Sequence, residues 1–331
     1  MRTVTLIPGD GIGPDVAALA QEAIARLQVD IAFEERPAGL AAEKELGDRL
    51  PEATLESIRK NKLAFKGPLA APAEGAAQSP NVRLRKELDL FANIRPIRSL
   101  PGVKGPFSKI DFVIIRENTE DIYAGIEHVV AEGVVETIKV VTERASLRVA
   151  AFAFDWARRH DRRKVTCIHK ANIMKKSDGL FLACAKDMAA KNTDIEFSDM
   201  IVDAAAMNLV RRPQQFDVLL CGNLYGDLLS DLGAGLVGGP GVCLGINRGE
   251  QIIVYEIFHG ANLERVAKAS WNPFSALLAC ARLVRQAGFP EACSRLERAV
   301  DLVSADGKVR TPDLGGSDTT DAVAQAVFSK L

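Results

Sequence analysis

The amino-acid sequence predicts an α/β fold with a substantially parallel sheet. Short runs rich in β-branched residues alternate with helical patterns along the chain, and this alternation is typical of strands joined by crossover helices. With 331 residues, 47% of them hydrophobic, the chain is long enough for two domains of ordinary size and a large apolar core.

The predicted elements follow from these patterns. Short apolar runs predict strands at residues 3–7, 63–65, 112–115, 165–168, 218–221 and 252–255. The clearest helix is predicted to start near Asp15, because apolar residues from Val16 to Leu27 recur on one helical face. Further helices are predicted at about 146–159, 179–191, 223–236 and 273–286.

Composition excludes several classes of partner. The formal net charge of −1 gives no reason to expect nucleic acid or an anionic membrane as a partner. No uncharged apolar run approaches the roughly 20 residues of a membrane span, and we expect no secretory signal at Met1. The six scattered cysteines form no C-x-x-C pair, so we expect reduced core residues of a cytoplasmic protein.

Two stretches rich in proline and glycine predict crossings between domains. They cover residues 95–102 and 233–241, and the second holds five glycines and Pro240. Two crossings suggest that the first and last thirds of the chain form one domain and the middle third another. A third glycine-rich segment, GDGIGP at 9–14, is a weak signal: it fits an anion site before a helix or an ordinary tight turn, and lacks G-x-G-x-x-G spacing.

Arg85, Arg95 and Arg116 each lie where a strand-like piece is expected to meet a turn. Arg116 directly follows the apolar run 112–115, so we expect its guanidinium at a sheet end, where open α/β sheets bind ligands. Any one of them could be a solvated surface arginine. Three that converge would repel one another unless carboxylates neutralised them, so the pattern favours a site for a di- or tricarboxylate.

Three aspartates predict a divalent metal site. Asp227 and Asp231 are four residues apart on a predicted helix with apolar neighbours, so they share a face and repel each other. Asp203 follows an apolar strand-like run at 200–202. Carboxylates together with water and substrate oxygens suit Mg²⁺ or Mn²⁺. The alternative is a pair of solvated aspartates at opposite edges of a buried stripe.

Lys170 and Tyr123 become informative only in context. Lys170 lies at the end of a predicted strand and could act as a general base if neighbouring cations or burial lowered its pKa. Tyr123 is one of three tyrosines in the chain. Without further context both are ordinary structural residues.

Three segments, taken together, resemble the isocitrate/isopropylmalate dehydrogenase family of β-decarboxylating dehydrogenases. They are IRENTEDIYAGIEH at 115–128, HKANIMKKSDG at 169–179 and GNLYGDLLSD at 222–231. The resemblance covers essentially the whole chain. It implies a two-domain α/β fold with a large mixed sheet that is not a Rossmann fold.

The resemblance also implies how the domains and subunits are arranged. The large, cofactor-side domain would be discontinuous, with residues 1–98 and 239–331, and the small domain, 99–238, would carry the metal and dimer elements. The active site would lie between the domains. A second subunit of a homodimer, or of a higher oligomer, would complete it.

Roles follow from the resemblance at matching positions. Arg85, Arg95 and Arg116 look like the clamp on the substrate carboxylates, and Tyr123 like the acid that protonates the enolate carbon. Lys170 resembles the lysine that helps deprotonate the substrate hydroxyl and is supplied by the second subunit of the dimer. Asp203 from that same subunit, together with Asp227 and Asp231, resembles the metal triad.

Ser79 and Asn81 match the isocitrate pattern, because they offer hydrogen bonds to a terminal carboxylate where isopropylmalate enzymes place apolar residues. The segment before them departs from the family pattern: residues 73–78 lack the usual glycine-rich run that ends in arginine, and Ala71 replaces a common threonine. These departures bear on substrate and cofactor affinity.

The resemblance assigns a cofactor site to Ile12, Asn172, Glu256, His259, Gly260, Glu264 and Asn272. Glu264 stands where NAD enzymes of the family carry an acid, which accepts bonds from both ribose hydroxyls and repels a 2′-phosphate. Arg265 beside it works against this interpretation, since a guanidinium binds phosphate. We expect NAD.

The resemblance therefore implies NAD-dependent oxidation and decarboxylation of isocitrate, a small tricarboxylate, with Mg²⁺ or Mn²⁺. Homoisocitrate or isopropylmalate oxidation, and a non-catalytic regulatory subunit of a hetero-oligomer, are the alternatives.

Overall fold

The computed structural model describes residues 1–70, 79–261 and 270–331. Its main feature is a ten-stranded mixed sheet with the order β2-β1-β3-β12-β11-β4-β5-β10-β8-β9. The strands of this sheet are β1 Arg2–Ile7, β2 Ile31–Glu35, β3 Leu63–Lys66, β4 Ala92–Arg98, β5 Asp111–Glu117, β8 Lys164–His169, β9 Glu196–Ile201, β10 Val218–Cys221, β11 Leu244–Arg248 and β12 Ile253–Ile257.

The helices in the described part of the chain pack on both faces of this sheet. They are α1 Gly13–Leu27, α2 Leu40–Leu46, α3 Glu52–Asn61, α4 Pro80–Glu87, α5 Glu143–Arg159, α6 Ser177–Lys191, α7 Val202–Arg211, α8 Asn223–Val237, α9 Phe274–Gln286, α10 Pro290–Asp306 and α11 Thr320–Phe328. A separate two-stranded sheet is formed by β6 Glu127–Ala131 and β7 Val134–Thr137.

The middle of the sheet is antiparallel, although both sides are parallel. β4 pairs antiparallel with β5 and with β11, and β11 pairs antiparallel with β12. The other described pairs are parallel. This mixture confirms the predicted α/β class with a large mixed sheet and excludes an all-parallel Rossmann sheet.

The central strands are buried on both faces, which explains why they read as continuous apolar runs. Ile114, Leu219 and Cys221 face one core, which includes α1, α8, α9 and α10. Val113, Ile115 and Leu220 face a second core against α5 and α6. The strands predicted from these runs, and the five predicted helices, are confirmed within a few residues at each end.

Three local predictions are wrong. The segment that carries Arg85 is helical, because Pro80 occupies the first turn of α4, where a missing N–H costs nothing. Asp203 is in the first turn of α7 and belongs to no strand. Gly233 lies inside α8 and not in a crossing: a Cβ there would come within 3.1 Å of Ile97, so glycine lets α8 pack closely on β4.

The small sheet formed by β6 and β7 stands apart from the core. Every residue of both strands is exposed, including Val129 at 77% and Val135 at 62%. An isolated two-stranded hairpin of this kind has little independent stability in water. In the described ranges, none of the helices is long and apolar enough to cross a membrane.

The ten-stranded sheet continues across the predicted boundary between residues 98 and 99. β4 precedes that boundary and β5 follows it, yet they pair from Ala92 with Glu117 to Arg98 with Asp111. The division into 1–98 plus 239–331 and 99–238 therefore stays a prediction.

Candidate active site

β4 and β5 place two arginines side by side on one face of the sheet. Asn93 is paired with Arg116 across these antiparallel strands, and Arg95 is two residues further along β4 on the same face. Both arginines are buried, with Arg95 8% exposed and Arg116 1% exposed. Burial makes these two charges dependent on partners inside the protein or on a bound ligand.

Arg116 is only partly paired. Its Nε donates to Asn223 Oδ1 at 2.8 Å and its Nη1 forms an ion pair with Asp227, while the centre of the Tyr123 ring lies 5.1 Å from its Cζ. Its Nη2 is buried and has no hydrogen-bond partner within residues 1–70, 79–261 and 270–331. A buried guanidinium with a spare donor is suited to an anionic ligand.

Gly226 makes this arrangement possible. It lies on α8 against the side chain of Arg116, and a Cβ at this position would come within 2.6 Å of Arg116 Cβ and Cγ. Glycine therefore allows α8 to approach β5 closely enough for Asp227 to reach the guanidinium.

Asp227 is shared between Arg116 and Tyr123, whose hydroxyl donates to the second carboxylate oxygen. Burial opposes the charge on Asp227, but the positive charges of Arg116 and Arg85 and the bond from Tyr123 hold its pKa below the usual range. Burial, together with Asp227, raises the pKa of Tyr123. At neutral pH the carboxyl is ionised and the phenol keeps its proton.

Asp231 lies one helical turn after Asp227, and the pair interacts as predicted: burial and the charge of Asp227 raise the pKa of Asp231. Leu228, which suggested a buried helix surface, is instead 60% exposed. The face of α8 next to these aspartates is therefore open to solvent in the single chain.

Glu256 on β12 holds a second group of cations together. Its Oε1 is 2.9 Å from Nη2 of Arg95 and its Oε2 is 3.3 Å from Nζ of Lys66. Burial opposes the charge on Glu256, but Lys66, Arg95 and Arg85 lower its pKa to about 2. Both oxygens of this predicted cofactor residue are thus occupied by cations of the protein.

Arg85 completes the group from helix α4. Its pKa falls to about 10, because burial and the positive charges of Arg116 and Arg95 disfavour its charged form. Glu256 and Asp227 act in the opposite direction. The three arginines come from α4, β4 and β5 and lie close enough to repel one another. The predicted set is therefore brought together on one side of the sheet.

Lys170 and Asp203 form a separate pair. Nζ of Lys170 is 2.6 Å from Asp203 Oδ1, and the backbone N–H of Lys170 donates to Asp178 Oδ2 at 2.6 Å. Lys170 directly follows β8, and Asp203 follows β9, which is the edge strand beyond it. In the described part of one chain, no set of three histidine, cysteine or acidic side chains is gathered for a metal.

The sequence reasoning missed Asp121, Lys139 and Asp178, which support the site. Asp121 accepts hydrogen bonds from the N–H groups of Ile122 and Leu224, so it fixes the turn before Tyr123 and the start of α8. Lys139 Nζ lies between Asp178 Oδ1 at 2.7 Å and Asp121 Oδ2 at 3.7 Å.

The sequence pointed to two of these three residues, because Asp121 lies in the family motif at 115–128 and Asp178 in the motif at 169–179. Lys139 had no such signal. Only the folded chain shows that it joins the two aspartates.

The substrate-side residues Ser79 and Asn81 are at the start of α4. The side chain of Ser79 does not cap the helix. Asn81 Nδ2 donates weakly to the Leu69 carbonyl at 3.4 Å, while its Oδ1 is buried and unpartnered within the described ranges. Both side chains thus keep hydrogen-bonding capacity.

The predicted cofactor residues are spread around one end of the sheet. Ile12 is buried before α1 and its N–H donates to the Ala261 carbonyl at 3.2 Å. His259 is 3.3 Å from the Asn272 carbonyl, and Asn272 donates to Asp313 at 3.0 Å.

Three further residues predicted to bind the cofactor are Gly260, Asn172 and Glu264. A Cβ on Gly260 would meet no atom within 4 Å in the described structure. Asn172 is exposed after β8, away from that end. Glu264, with Arg265, lies outside the described residues, so the cofactor prediction that rests on it stays a prediction.

Comparison with known families decides the identity of this arrangement. The model of the family described as isocitrate/isopropylmalate dehydrogenase matches residues 3–327. This chain belongs to that family. The resemblance inferred from residues 115–128, 169–179 and 222–231 is confirmed.

Relatives within the isocitrate/isopropylmalate dehydrogenase family include catalytic and regulatory subunits. The chain is 44% identical to isocitrate dehydrogenase [NAD] catalytic subunit 5, mitochondrial, of Arabidopsis thaliana, over 99% of this chain and 88% of the relative. It is 45% identical to regulatory subunit 2 of the same organism, over 100% and 90%. It is 44% identical to the human mitochondrial subunit alpha, over 99% and 91%.

Two solved structures have the same fold as this chain. The crystal structure of isocitrate dehydrogenase from Methylococcus capsulatus superposes with a TM-score of 0.96 at 45% identity, over 100% of this chain and 99% of that one. The TT0538 protein from Thermus thermophilus gives 0.96 at 36% identity, over 99% and 68%.

The prediction of a cytoplasmic protein is wrong by this comparison, because the plant, nematode and mammalian relatives are mitochondrial subunits. All six cysteines are free and buried, as expected.

The pKa of Glu256 gives a prediction for stability against pH. Its folded pKa of about 2 is below the ordinary value of 4.5, so its stabilising contribution is present above pH 4.5 and is lost as pH falls towards 2. We expect Glu256→Gln to lower the free energy of unfolding by about 3 kcal/mol near neutral pH. The difference from the unmodified protein should shrink between pH 4.5 and 2.

Urea unfolding of both proteins across this pH range measures the difference. Glu250→Gln, at a position exposed to solvent, is the matched control and should leave the unfolding free energy nearly unchanged. A difference for Glu256→Gln that stays constant from neutral pH to pH 2 would show that the charge of Glu256 is not responsible.

Proposed function

We propose that this chain catalyses the NAD-dependent oxidative decarboxylation of isocitrate to 2-oxoglutarate and CO₂, with Mg²⁺ or Mn²⁺. The observation that carries the proposal is Arg116: a buried guanidinium with an unpartnered Nη2 in the described ranges, flanked by Arg95 and Arg85 and contacting Asp227. Arg116 thus lies between the other arginines, which can bind substrate carboxylates, and Asp227, whose carboxylate is suited to bind a cation. The similarity of this chain to proteins named as NAD-dependent isocitrate dehydrogenase subunits in a plant, a nematode and a mammal supports this reaction.

The charge balance of the site supports a substrate with several carboxylates. The site holds four buried or partly buried cations, Lys66, Arg85, Arg95 and Arg116. Three of them, Lys66, Arg95 and Arg116, contact the carboxylates Glu256 and Asp227 directly, and Arg85 has no ion pair with either in the described ranges. A polyanionic substrate would neutralise the excess and use the spare donor of Arg116.

Asn81 supports isocitrate over an alkyl-substituted malate. Its buried Oδ1 lacks a partner within the described ranges, and Ser79 beside it caps no backbone group. An alkyl group placed against these atoms would leave them unsatisfied, whereas a carboxylate would accept hydrogen bonds from the Ser79 hydroxyl and from Asn81 Nδ2, whose present bond to the Leu69 carbonyl is 3.4 Å long. Homoisocitrate, which is longer by one methylene, is the alternative that this argument does not exclude.

Asp227 and Asp231 fit a divalent cation, because burial and mutual repulsion raise the pKa of Asp231 and a cation would remove that repulsion. Together with Asp203 of a second subunit they would supply oxygen ligands of the kind that Mg²⁺ and Mn²⁺ prefer. A metal held by these aspartates would supply the positive charge that polarises the substrate hydroxyl, and bound NAD would supply the acceptor for the hydride.

The protein's own groups then move the protons. Lys170 is positioned by Asp178 through its backbone N–H and would help remove the hydroxyl proton, with Asp203 beside its Nζ. The arginines hold the substrate carboxylates while CO₂ leaves. Tyr123, protonated at neutral pH because burial and Asp227 raise its pKa, would give its proton to the carbon that lost CO₂.

Lys170 and Asp203 would act in the site of a second subunit. Asp203, Met207 and Val210 fall on one face of α7, at spacings of four and three residues, and the two apolar side chains are 49% and 51% exposed. Ile173, close to Lys170 in the chain, is 69% exposed. Exposed apolar residues around a catalytic pair indicate a surface that another copy covers.

The exposed valines of β6 and β7 and Leu228 on α8 extend that surface. We therefore propose a homodimer, or a higher oligomer built from it, with the cleft between residues 1–98 plus 239–331 and residues 99–238 shared between subunits. The regulatory-subunit alternative is less favoured, because a subunit without catalysis has no need of Tyr123, Lys170 and the aspartates together.

A matrix of substrates and cofactors tests the proposal directly. We expect the purified chain to form NADH only with isocitrate and Mg²⁺ or Mn²⁺, and to stop when the metal is chelated, as followed by absorbance of NADH. Homoisocitrate, 3-isopropylmalate and NADP serve as the other arms. Turnover with none of the three substrates would support the regulatory alternative instead.

Tyr123→Phe tests the proton donor. Removing the hydroxyl should lower kcat by about 10²-fold or more with little change in KM for isocitrate, because general acid catalysis contributes about 10²–10⁴. Steady-state kinetics separate the two constants. A large rise in KM at unchanged kcat would contradict the assignment.

Subunit complementation tests the shared site. Asp227→Asn and Lys170→Met should each be inactive, but a heterodimer of the two, isolated with two affinity tags, should regain about half of the unmodified activity, since one of its two sites is intact. The matched control is the Asp227→Asn with Asp231→Asn heterodimer, which should stay inactive. An inactive Asp227→Asn with Lys170→Met heterodimer would show that each chain holds a complete site.

A further inference from the structure

A large cavity lies on the opposite face of the sheet from the arginine site. It has a volume of about 560 Å³, within the range of roughly 300–1,000 Å³ for small-molecule sites. Its floor is formed by β4, β5, β11 and β12, and its walls by α5 and α9.

Side-chain alternation separates the two faces. Ile94 and Pro96 line the cavity, whereas Arg95 between them points to the active-site face. In the same way Tyr255 lines the cavity, while its neighbour Glu256 contacts Arg95 and Lys66. Nothing proposed for the dehydrogenase reaction uses the cavity side of these strands.

The cavity has an unneutralised cationic end. Arg248 lines it half-buried, and its hydrogen bond within the described ranges is to the Glu250 carbonyl at 3.3 Å, with no carboxylate partner there. Arg282 and Arg285 line the same end and share one carboxylate, Glu297, at 2.8 and 3.8 Å.

The other arginines of the cavity are neutralised. Arg159 pairs with Asp155 at 3.0 Å, and Arg162 pairs with Asp217 at 3.0 Å. Asp161 adds one exposed acid at the rim. The positive charge that lacks a partner in the described ranges is therefore concentrated around Arg248, Arg282 and Arg285.

Another part of the cavity lining is aromatic and apolar. The rings of Trp156 and His160 are stacked, with centroids 4.0 Å apart and planes 13° apart, and both line the cavity. Partial burial and the positive charges of Arg282, Arg162 and Arg159 lower the pKa of His160, so its ring is neutral at neutral pH. Ile246 and Leu278 add apolar surface.

We propose that this cavity is a second ligand site, for a small organic anion with a flat apolar body and a phosphate or carboxylate head. The head would contact Arg248 and the shared pair Arg282 and Arg285. The body would extend the stack of Trp156 and His160 over the apolar floor. Since the site and the arginine clamp are on opposite faces of the same strands, this ligand does not compete with isocitrate.

The tryptophan content allows a direct test, because Trp156 and Trp271 are the two tryptophans of the chain. In a Trp271→Phe protein, emission excited at tryptophan wavelengths reports on Trp156 alone. Phenyl phosphate and benzoate carry one ring with two different heads, and benzyl alcohol carries the ring without charge. Calorimetry on the chain with both tryptophans repeats the titrations without the reporter substitution.

We expect phenyl phosphate, benzoate or both to bind saturably, with the tighter of the two identifying the preferred head, and benzyl alcohol to bind at least about tenfold more weakly. Arg248→Gln should weaken binding of the anion by at least about tenfold. Arg298→Gln, an exposed arginine of α10 away from the cavity, is the matched control and should leave binding unchanged.

Saturating isocitrate distinguishes the two faces and should leave the dissociation constant of the anion unchanged. Displacement by isocitrate would place the probe in the arginine site and overturn the proposal. The proposal would also be overturned if neither anion bound saturably, or if Arg248→Gln left the dissociation constant of the anion unchanged. None of these outcomes depends on turnover, so failure of the proposed dehydrogenase activity would be seen separately.

Discussion

Mutual repulsion among buried and partly buried cations is the constraint on which the rest of this structure depends. Arg85, Arg95, Arg116 and Lys66 lie on one side of the sheet. Glu256 pairs directly with Lys66 and Arg95, and Asp227 pairs with Arg116, while Arg85 interacts with both carboxylates without an ion pair to either in the described part of the chain. Removing charges from water is costly unless opposite charges are close by. Burial opposes the charge on Glu256, but Lys66, Arg95 and Arg85 lower its pKa to about 2 and so keep it ionised.

The mixed sheet is what allows this grouping. In a wholly parallel sheet functional side chains collect at the carboxyl ends of strands, but here β4 runs antiparallel to β5 and β11. Arg95 therefore lies within its strand and still reaches the same place as Arg116 near the end of β5. Helix α8 then brings Asp227 against Arg116, because Gly226 and Gly233 let it approach the sheet closely.

Apolar runs made much of the fold predictable from the sequence. Residues 218–221 and 112–115 read as strands because they are buried on both faces, and the structure places them inside the sheet, away from its edges. β2 was not predicted, because it lies at an edge of the sheet and is only partly buried. The interior strand β11 was also missed, and of the edge strand β9 only the apolar end near residues 200–202 read as a strand. The helix at Arg85 was missed, since its polar sequence, PNVRLRKE, shows no helical stripe.

The site was predictable where a motif carried it and not where distant contacts did. Tyr123, Lys170 and Asp227 came from contiguous segments, and the structure places Tyr123 in contact with Asp227. Lys139 connects Asp121 with Asp178 across a long stretch of chain, and no local pattern reports such a contact. The separation of Asp203 from Asp227 in one chain also follows from the fold alone, since Asp203 follows the edge strand β9 and α8 follows β10, two strands further in.

The central claim is that one cation is held between Asp227 and Asp231 of one subunit and Asp203 of another, facing the arginine group. Anomalous diffraction from crystals grown with Mn²⁺ and isocitrate tests it most directly. We expect a single strong manganese peak per site that contacts aspartates from two subunits, with the substrate carboxylates on Arg85, Arg95 and Arg116. A peak bound by one chain alone, or isocitrate away from these arginines, would contradict the account.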